Sequence, residues 1–233
     1  MSLKSVYLPQ PSVQTDGIHI TGDQHRHLMI ARAEKDELIE IFDGEGRVWT
    51  ASIESVKKRE TVARVQDSRR MPPPAVRLIL AMAMIRIPAF ELTLEKAVEV
   101  GVNRIVPFVG GRSNVSPGHR YDRWTRILVE AAKQSKQYYL PELSPPATFA
   151  EVLSIPSASK IMFTERAGGP LKPAIKGSPA LYLIGPEGGW TDEELSAGGE
   201  NGFHLVSLGA GILKAETAAI AGAVLIRYEL GTG

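Results

Sequence analysis

The 233-residue chain contains no cysteine. That excludes a disulfide framework, a thiolate nucleophile and any thiolate-ligated metal. Five histidines remain, and His25 and His27 stand two apart without an obvious third ligand, so no metal site is expected. No apolar run is long enough to span a bilayer, so no membrane association is expected. The amino-terminal stretch MSLKSVYLPQPS lacks the apolar centre of a signal peptide, which makes a cytoplasmic location the default expectation. Three familiar site signatures are missing too. There is no G-x-x-x-x-G-K-[ST] phosphate loop, no G-x-G-x-x-G after a strand and no G-x-S-x-G elbow. Nucleotide hydrolysis, ordinary dinucleotide binding and serine-hydrolase chemistry are thereby disfavoured.

Net charge is only +1, but it is unevenly placed. Residues 71–140 hold ten basic and five acidic side chains, whereas residues 141–233 hold six and ten. The basic excess gathers in Arg104, Arg112, Arg120, Arg123, Arg126, Lys133 and Lys136. A positive segment suits a polyanion, and nucleic acid is the commonest one. A charge run alone is more often a solvated helix face, so it supports other observations without deciding anything.

The first 70 residues are strand-rich. Runs 37–42, 47–56 and 61–65 alternate or partly alternate, Asp43-Gly-Glu-Gly46 is a turn signal, and 23–31 is the one helix candidate. This predicts a meander that could close into a small barrel with the pieces around Val6 and Ile18. Met71-Pro-Pro-Pro74 cannot donate backbone hydrogen bonds at its prolines and sets the expected domain boundary, giving domains at 1–70 and 75–233. Beyond it, apolar strands at 76–85, 104–109, 160–164, 180–184 and 204–208 alternate with helical spacing at 90–100, 121–135 and about 212–230. Gly101 sits where a C-cap glycine belongs, and Thr191-Asp-Glu-Glu194 fits a capping box. The expected class is α/β, a mainly parallel sheet with helices on both faces.

Two of those strands end in glycine turns: Gly185-Pro-Glu-Gly-Gly189 after Ile184, and Gly209-Ala-Gly211 after Leu208. Glycine lets a ligand approach the backbone closely, so the pair predicts a small-molecule pocket. Ile184-Gly-Pro-Glu-Gly-Gly189, followed by Val206-Ser-Leu-Gly-Ala-Gly-Ile-Leu-Lys-Ala-Glu-Thr-Ala218, resembles the signature pair of the SPOUT methyltransferases. The match is best with the RsmE family, the 16S ribosomal RNA uridine-N3 methyltransferases. It extends through His27-Leu28, Arg32, Phe42-Asp-Gly-Glu-Gly46, Lys96-Ala-Val-Glu-Val-Gly-Val102, Arg112-Ser113 and Ala131-Ala-Lys-Gln-Ser135.

The resemblance implies a PUA-like barrel that binds RNA, a trefoil-knotted α/β domain, a homodimer, and S-adenosylmethionine as cofactor. By matching positions, Thr164, Ile184, Gly185, Pro186, Glu187, Gly188, Leu208, Gly209, Ile212, Leu213, Glu216 and Thr217 would hold the cofactor. Glu216, with Lys214 and Arg112, would serve catalysis; Arg32, Arg112, Arg120, Arg123 and Lys136 would meet 16S RNA or the small ribosomal subunit. The uracil N3 carries a proton, so the reaction needs a base, for which Glu216 and Glu187 are the carboxylates available, and a cationic or amide environment for the anion. Three positions depart from the family pattern: Gly211 and Lys214 stand where arginine is usual, and Gln134-Ser-Lys-Gln137 replaces Gln-Ser-x-Arg. Those departures keep two alternatives open, methylation of another RNA nucleotide and a catalytically weakened RNA-binding or ribosome-assembly module.

Overall fold

A computed structural model describes residues 3–9, 11, 17–166 and 168–231. The chain divides into two compact units: Met1–Pro73 with Ala132–Leu140, and Pro74–Ala131 with Pro141–Gly233. The elements in order are β1 (Lys4–Tyr7), β2 (Ile18–Ile20), α1 (Gly22–Ile30), β3 (Leu38–Phe42), β4 (Arg47–Val56), β5 (Thr61–Arg70), β6 (Leu78–Ala83), α2 (Ile87–Glu99) and β7 (Arg104–Val109). They continue with α3 (Tyr121–Ser135), β8 (Glu142–Leu143), β9 (Ala147–Thr148), α4 (Phe149–Leu153), β10 (Ser159–Phe163), β11 (Ala180–Ile184), α5 (Asp192–Glu200), β12 (His204–Val206) and α6 (Ala215–Glu229).

In the first unit the expected meander is present. β3, β4 and β5 pair antiparallel, with Ile41 opposite Trp49 and Ile53 opposite Ala63. The five-stranded order is β1-β3-β4-β5-β2, and its end strands β1 and β2 are not paired with each other among the described residues. Alternation sends Ile39, Ile41, Trp49, Ala51, Ile53 and Ala63 into one core with Val6, Ile18, Ile20 and Leu28. The β3–β4 turn closes because the Asp43 carboxylate accepts the amides of Glu45 and Arg47 at 2.7 and 3.0 Å. Gly46, at φ +88°, has no room for a side chain: a Cβ there would lie 2.3 Å from the Tyr139 ring. Tyr139 is held on this turn by the bonds Gly46 N–H to Tyr138 O and Leu140 N–H to Gly44 O. That pairing explains why 132–140 belongs with the first unit, which linear order does not reveal.

Glu40 fastens the same segment. Its side chain is nearly buried and accepts from Lys136 Nζ at 2.9 Å, Tyr138 Oη at 2.9 Å and Arg69 Nη2 at 2.9 Å. Burial by itself would raise its pKa, but the Lys136, Tyr138 and Arg69 contacts outweigh that and hold it below the ordinary value. A depressed folded-state pKa stabilises above the unfolded value, near 4.3, and that contribution disappears as pH falls through the folded value. Glu40→Gln is therefore expected to cost on the order of 2 kcal/mol at pH 7. The deficit should shrink as pH falls below about 4. Denaturant melts of both proteins at the two pH values check this.

The second unit carries a seven-stranded, all-parallel sheet in the order β12-β10-β11-β6-β7-β8, with β9 also on β7. β6 and β11 are buried along their whole length, as strands covered on both faces must be. Ile79, Ala81, Ala83, Leu181 and Leu183 pack with Val152 of α4, Leu195 of α5 and Trp190 on one face. On the other, Tyr182 reaches the Ala219 carbonyl of α6 and Phe163 lies against Gly222. The expected strand at 76–85 is shorter, because Met84 and Ile85 are buried but lie in the turn into α2. That helix starts at Ile87, three residues before the apolar spacing suggests, since Pro88 suits a first helical turn. α6 starts later than expected, at Ala215; residues 207–214 are neither helix nor strand.

Candidate active site

Because β10, β11 and β12 are parallel neighbours, their carboxyl ends emerge side by side. The loops leaving them enclose a cleft of about 680 Å³. One wall is Phe163–Glu165 at the end of β10, a second is Ile184–Trp190 at the end of β11, and a third is Ser207, Leu208 and Gly211–Glu216, running from the loop after β12 into the first turn of α6.

The first glycine turn is shaped by an aromatic floor. Trp190 is buried and donates Nε1–H to the Phe163 carbonyl at 2.8 Å. A Cβ at Gly185 would sit 2.9 Å from that indole, so the chain can cross it only as glycine. Gly189 is left-handed at φ +69°, and a Cβ there would fall 2.7 Å from the Glu165 carboxylate. The second turn is looser: Gly209 has φ +125°, its carbonyl accepts from Ser207 Oγ at 2.9 Å, and nothing crowds a Cβ at Gly211.

Of the cofactor positions expected from the sequence, Thr164, Ile184, Gly185, Pro186, Glu187, Gly188, Leu208, Ile212, Leu213 and Glu216 line this cleft. Gly209 and Thr217 do not, although their neighbours do. Lys214 lines it as the N-cap residue of α6, and Glu216 follows in the first turn of that helix. Arg112, expected to serve catalysis, is not among the residues that line the cleft; it donates to the carbonyl of Gly188 in the first glycine turn at 3.0 Å. Arg123 is engaged by both carboxylate oxygens of Glu91 at 2.5 and 2.7 Å, and Lys136 by Glu40. Arg120 donates to the Pro117 carbonyl, and Arg32 follows α1 with a left-handed backbone at φ +50°.

Arg86 is a cleft residue that the sequence did not single out. It is the N-cap of α2 and its Nε lies 2.8 Å from a Glu187 carboxylate oxygen. The Glu187 hydrogen bond and charge, with a further contribution from Glu216, raise the guanidinium above its ordinary value. No cluster of three or more potential metal ligands occurs among the described residues. None of their helices is long and apolar enough to cross a membrane.

The sequence model of the RNA methyltransferase domain matches residues 72–227, a span that holds both glycine turns and the whole cleft lining. The chain is 31% identical to the ribosomal RNA small subunit methyltransferase E of Synechocystis over 94% of its own length and 75% of the relative's. It is 29% identical to the protein of the same name from Mesomycoplasma hyopneumoniae, over 83% of this chain and 86% of that one. The crystal structure of the Neisseria gonorrhoeae small subunit methyltransferase E bound to S-adenosyl methionine superposes with a TM-score of 0.89 at 28% identity, covering 97% of this chain and 98% of that one. The chain belongs to the RNA methyltransferase family, and within it to the ribosomal RNA small subunit methyltransferase E group.

Proposed function

We propose that this chain is an S-adenosylmethionine-dependent methyltransferase acting on N3 of a uridine in 16S, small-subunit, ribosomal RNA. The observation that carries the proposal is the convergence of both glycine turns and the α6 N-terminus on one cleft, in a relative of a protein crystallised with that cofactor. Thr164, the Ile184–Gly188 turn, Leu208, Ile212 and Leu213 would hold the cofactor through backbone groups and apolar contact. When bound, the cofactor supplies an activated methyl group on a sulfonium. Glu216 takes the N3 proton, and Lys214 places a second cation in the cleft. N3 lies on the pairing edge, so the target base reacts unpaired or flipped out.

The finer architecture belongs to the same proposal. The first unit is read as a PUA-like barrel that contributes to RNA binding, and the second as a trefoil-knotted domain. The knot reading draws support from the tight passage of Gly168–Gly169 along β12, where Gly169 N–H bonds Leu205 O and Ser207 N–H bonds Gly169 O. A Cβ on Gly168 would lie 2.4 Å from the Ser207 nitrogen. A homodimer is supported by the apolar side chains that α6 leaves exposed, Val224, Leu225 and Tyr228. Arg112, Arg120 and Arg123, with Arg32 and Lys136 of the first unit, are the proposed RNA contacts, and the cytoplasm is the proposed location.

The test uses purified protein, labelled cofactor and small ribosomal subunits or their naked RNA from a strain lacking N3-methyluridine. Nucleoside mass spectrometry should show N3-methyluridine formed with either substrate or both. Label in a different nucleoside would assign another target, and cofactor binding without transfer would favour the RNA-binding module.

A further inference from the structure

We infer that Arg86 is a catalytic cation of this cleft: Glu187 holds its guanidinium at rest, and that guanidinium takes up the negative charge of the acceptor base once the ring proton has left. The inference rests on the methyl-transfer reading above and names the group that makes its acceptor reactive.

Position comes first. Arg86 follows the carboxyl end of β6, and Glu187 follows that of β11, which pairs with β6 in parallel register. The two side chains therefore rise from neighbouring strands although 101 residues separate them. The Arg86 backbone is fixed, because its carbonyl accepts the amides of Ala89 and Phe90, both at 3.0 Å, as α2 begins. Its side chain is largely exposed and lines the cleft with Glu187, Glu216 and Lys214.

Chemistry comes second. Arg86 meets Glu187 through Nε, and among the described residues its two terminal nitrogens make no other hydrogen bond. Those nitrogens form a planar fork suited to a delocalised anion. A deprotonated uracil spreads its charge over N3 and the two flanking carbonyl oxygens. In the step itself the N3–H bond breaks and Glu216 receives the proton. The pair left on N3 forms the new bond to the methyl carbon, and the electrons of the broken carbon–sulfur bond stay on sulfur. The negative charge exists only between those events, which is where a preorganised cation lowers the barrier. Arg112, the other arginine expected to serve catalysis, donates to the Gly188 carbonyl and does not line the cleft.

The experiment compares the parent protein with Arg86→Gln and Arg86→Lys, using the labelled cofactor and small subunits named above. At saturating cofactor and RNA, Arg86→Gln is expected to lower kcat about 100-fold, with cofactor affinity by calorimetry essentially unchanged. Arg86→Lys should fall between, because it keeps charge and loses the fork. The rate of Arg86→Gln should also keep rising with pH beyond the parent's plateau, since its uracil anion is no longer stabilised. Glu165, Glu187, Glu216 and Lys214 line the same cleft and are common to all three proteins. A parent-like kcat in Arg86→Gln, or a loss confined to cofactor affinity or to KM for RNA, overturns the inference. A parent that transfers no methyl overturns the functional reading, and this inference with it.

Discussion

Trp190→Ala is expected to lower the unfolding free energy by about 4 kcal/mol and to abolish cofactor binding in the surviving folded fraction. The indole belongs to two structures at once. As core, it is about 1% exposed, stacks on Phe108 with ring centres 6.0 Å apart, and contacts Phe149 at 5.7 Å. As floor of the cleft, it lies under Gly185 and bonds the Phe163 carbonyl, the last residue of β10. Alanine would leave a cavity beneath the first glycine turn and a carbonyl without its donor, which adds roughly 1–3 kcal/mol if water does not reach it. Trp190→Phe separates the two contributions, since it refills most of the volume but has no N–H. Denaturant midpoints should order parent, then phenylalanine, then alanine, and calorimetry should show cofactor affinity following the same order. Equal midpoints for the two variants would mean the hydrogen bond outweighs packing; parent-like affinity in the alanine variant would mean the turn needs no floor.

The same residue shows what local sequence conveys. A strand followed by glycines is legible because apolar runs and glycine each act over a few residues, so both turns and the parallel sheet were expected where they occur. What the turn rests on was not, since Trp190 meets Phe163 and Phe108 only after the sheet forms. β8, β9 and α4 are illegible in the sequence for a nearer reason. Thr148 and Glu151 do form a capping box, but Pro141, Pro145 and Pro146 surround two very short strands and make the stretch look like plain loop. Charge was legible only as a count. Arg123 and Lys136 stand in a basic segment, yet Glu91 and Glu40 reach them from 32 and 96 residues away. Arg86 had no local signal, because a lone arginine between a buried strand and Pro88 acquires meaning from the β6–β11 pairing. The union of 132–140 with the first unit is likewise set by contacts with the Asp43–Gly46 turn.

Glu216→Gln is expected to reduce kcat for methyl transfer by about 1,000-fold while leaving the protein as stable as its parent. Glu216 lies in the first turn of α6 and lines the cleft. Two roles compete for it. As a partner of the helix dipole, a first-turn carboxylate contributes about 0.3–1 kcal/mol to stability and nothing to the reaction. As the base, it must receive the N3 proton, which glutamine of nearly the same shape cannot do. The roles predict different observables: the dipole role shows in the melting curve with kcat intact, the base role in kcat with the melt intact. Cofactor affinity makes the third axis, because Glu216 is also a proposed cofactor contact; a large loss of affinity at unchanged kcat would assign it there. Glu187→Gln is the comparison that locates the proton, since both carboxylates line the cleft but Glu187 is committed to Arg86. If Glu187→Gln proves the slower enzyme at saturating cofactor and RNA, the proton goes to Glu187 and the assignment of Glu216 fails.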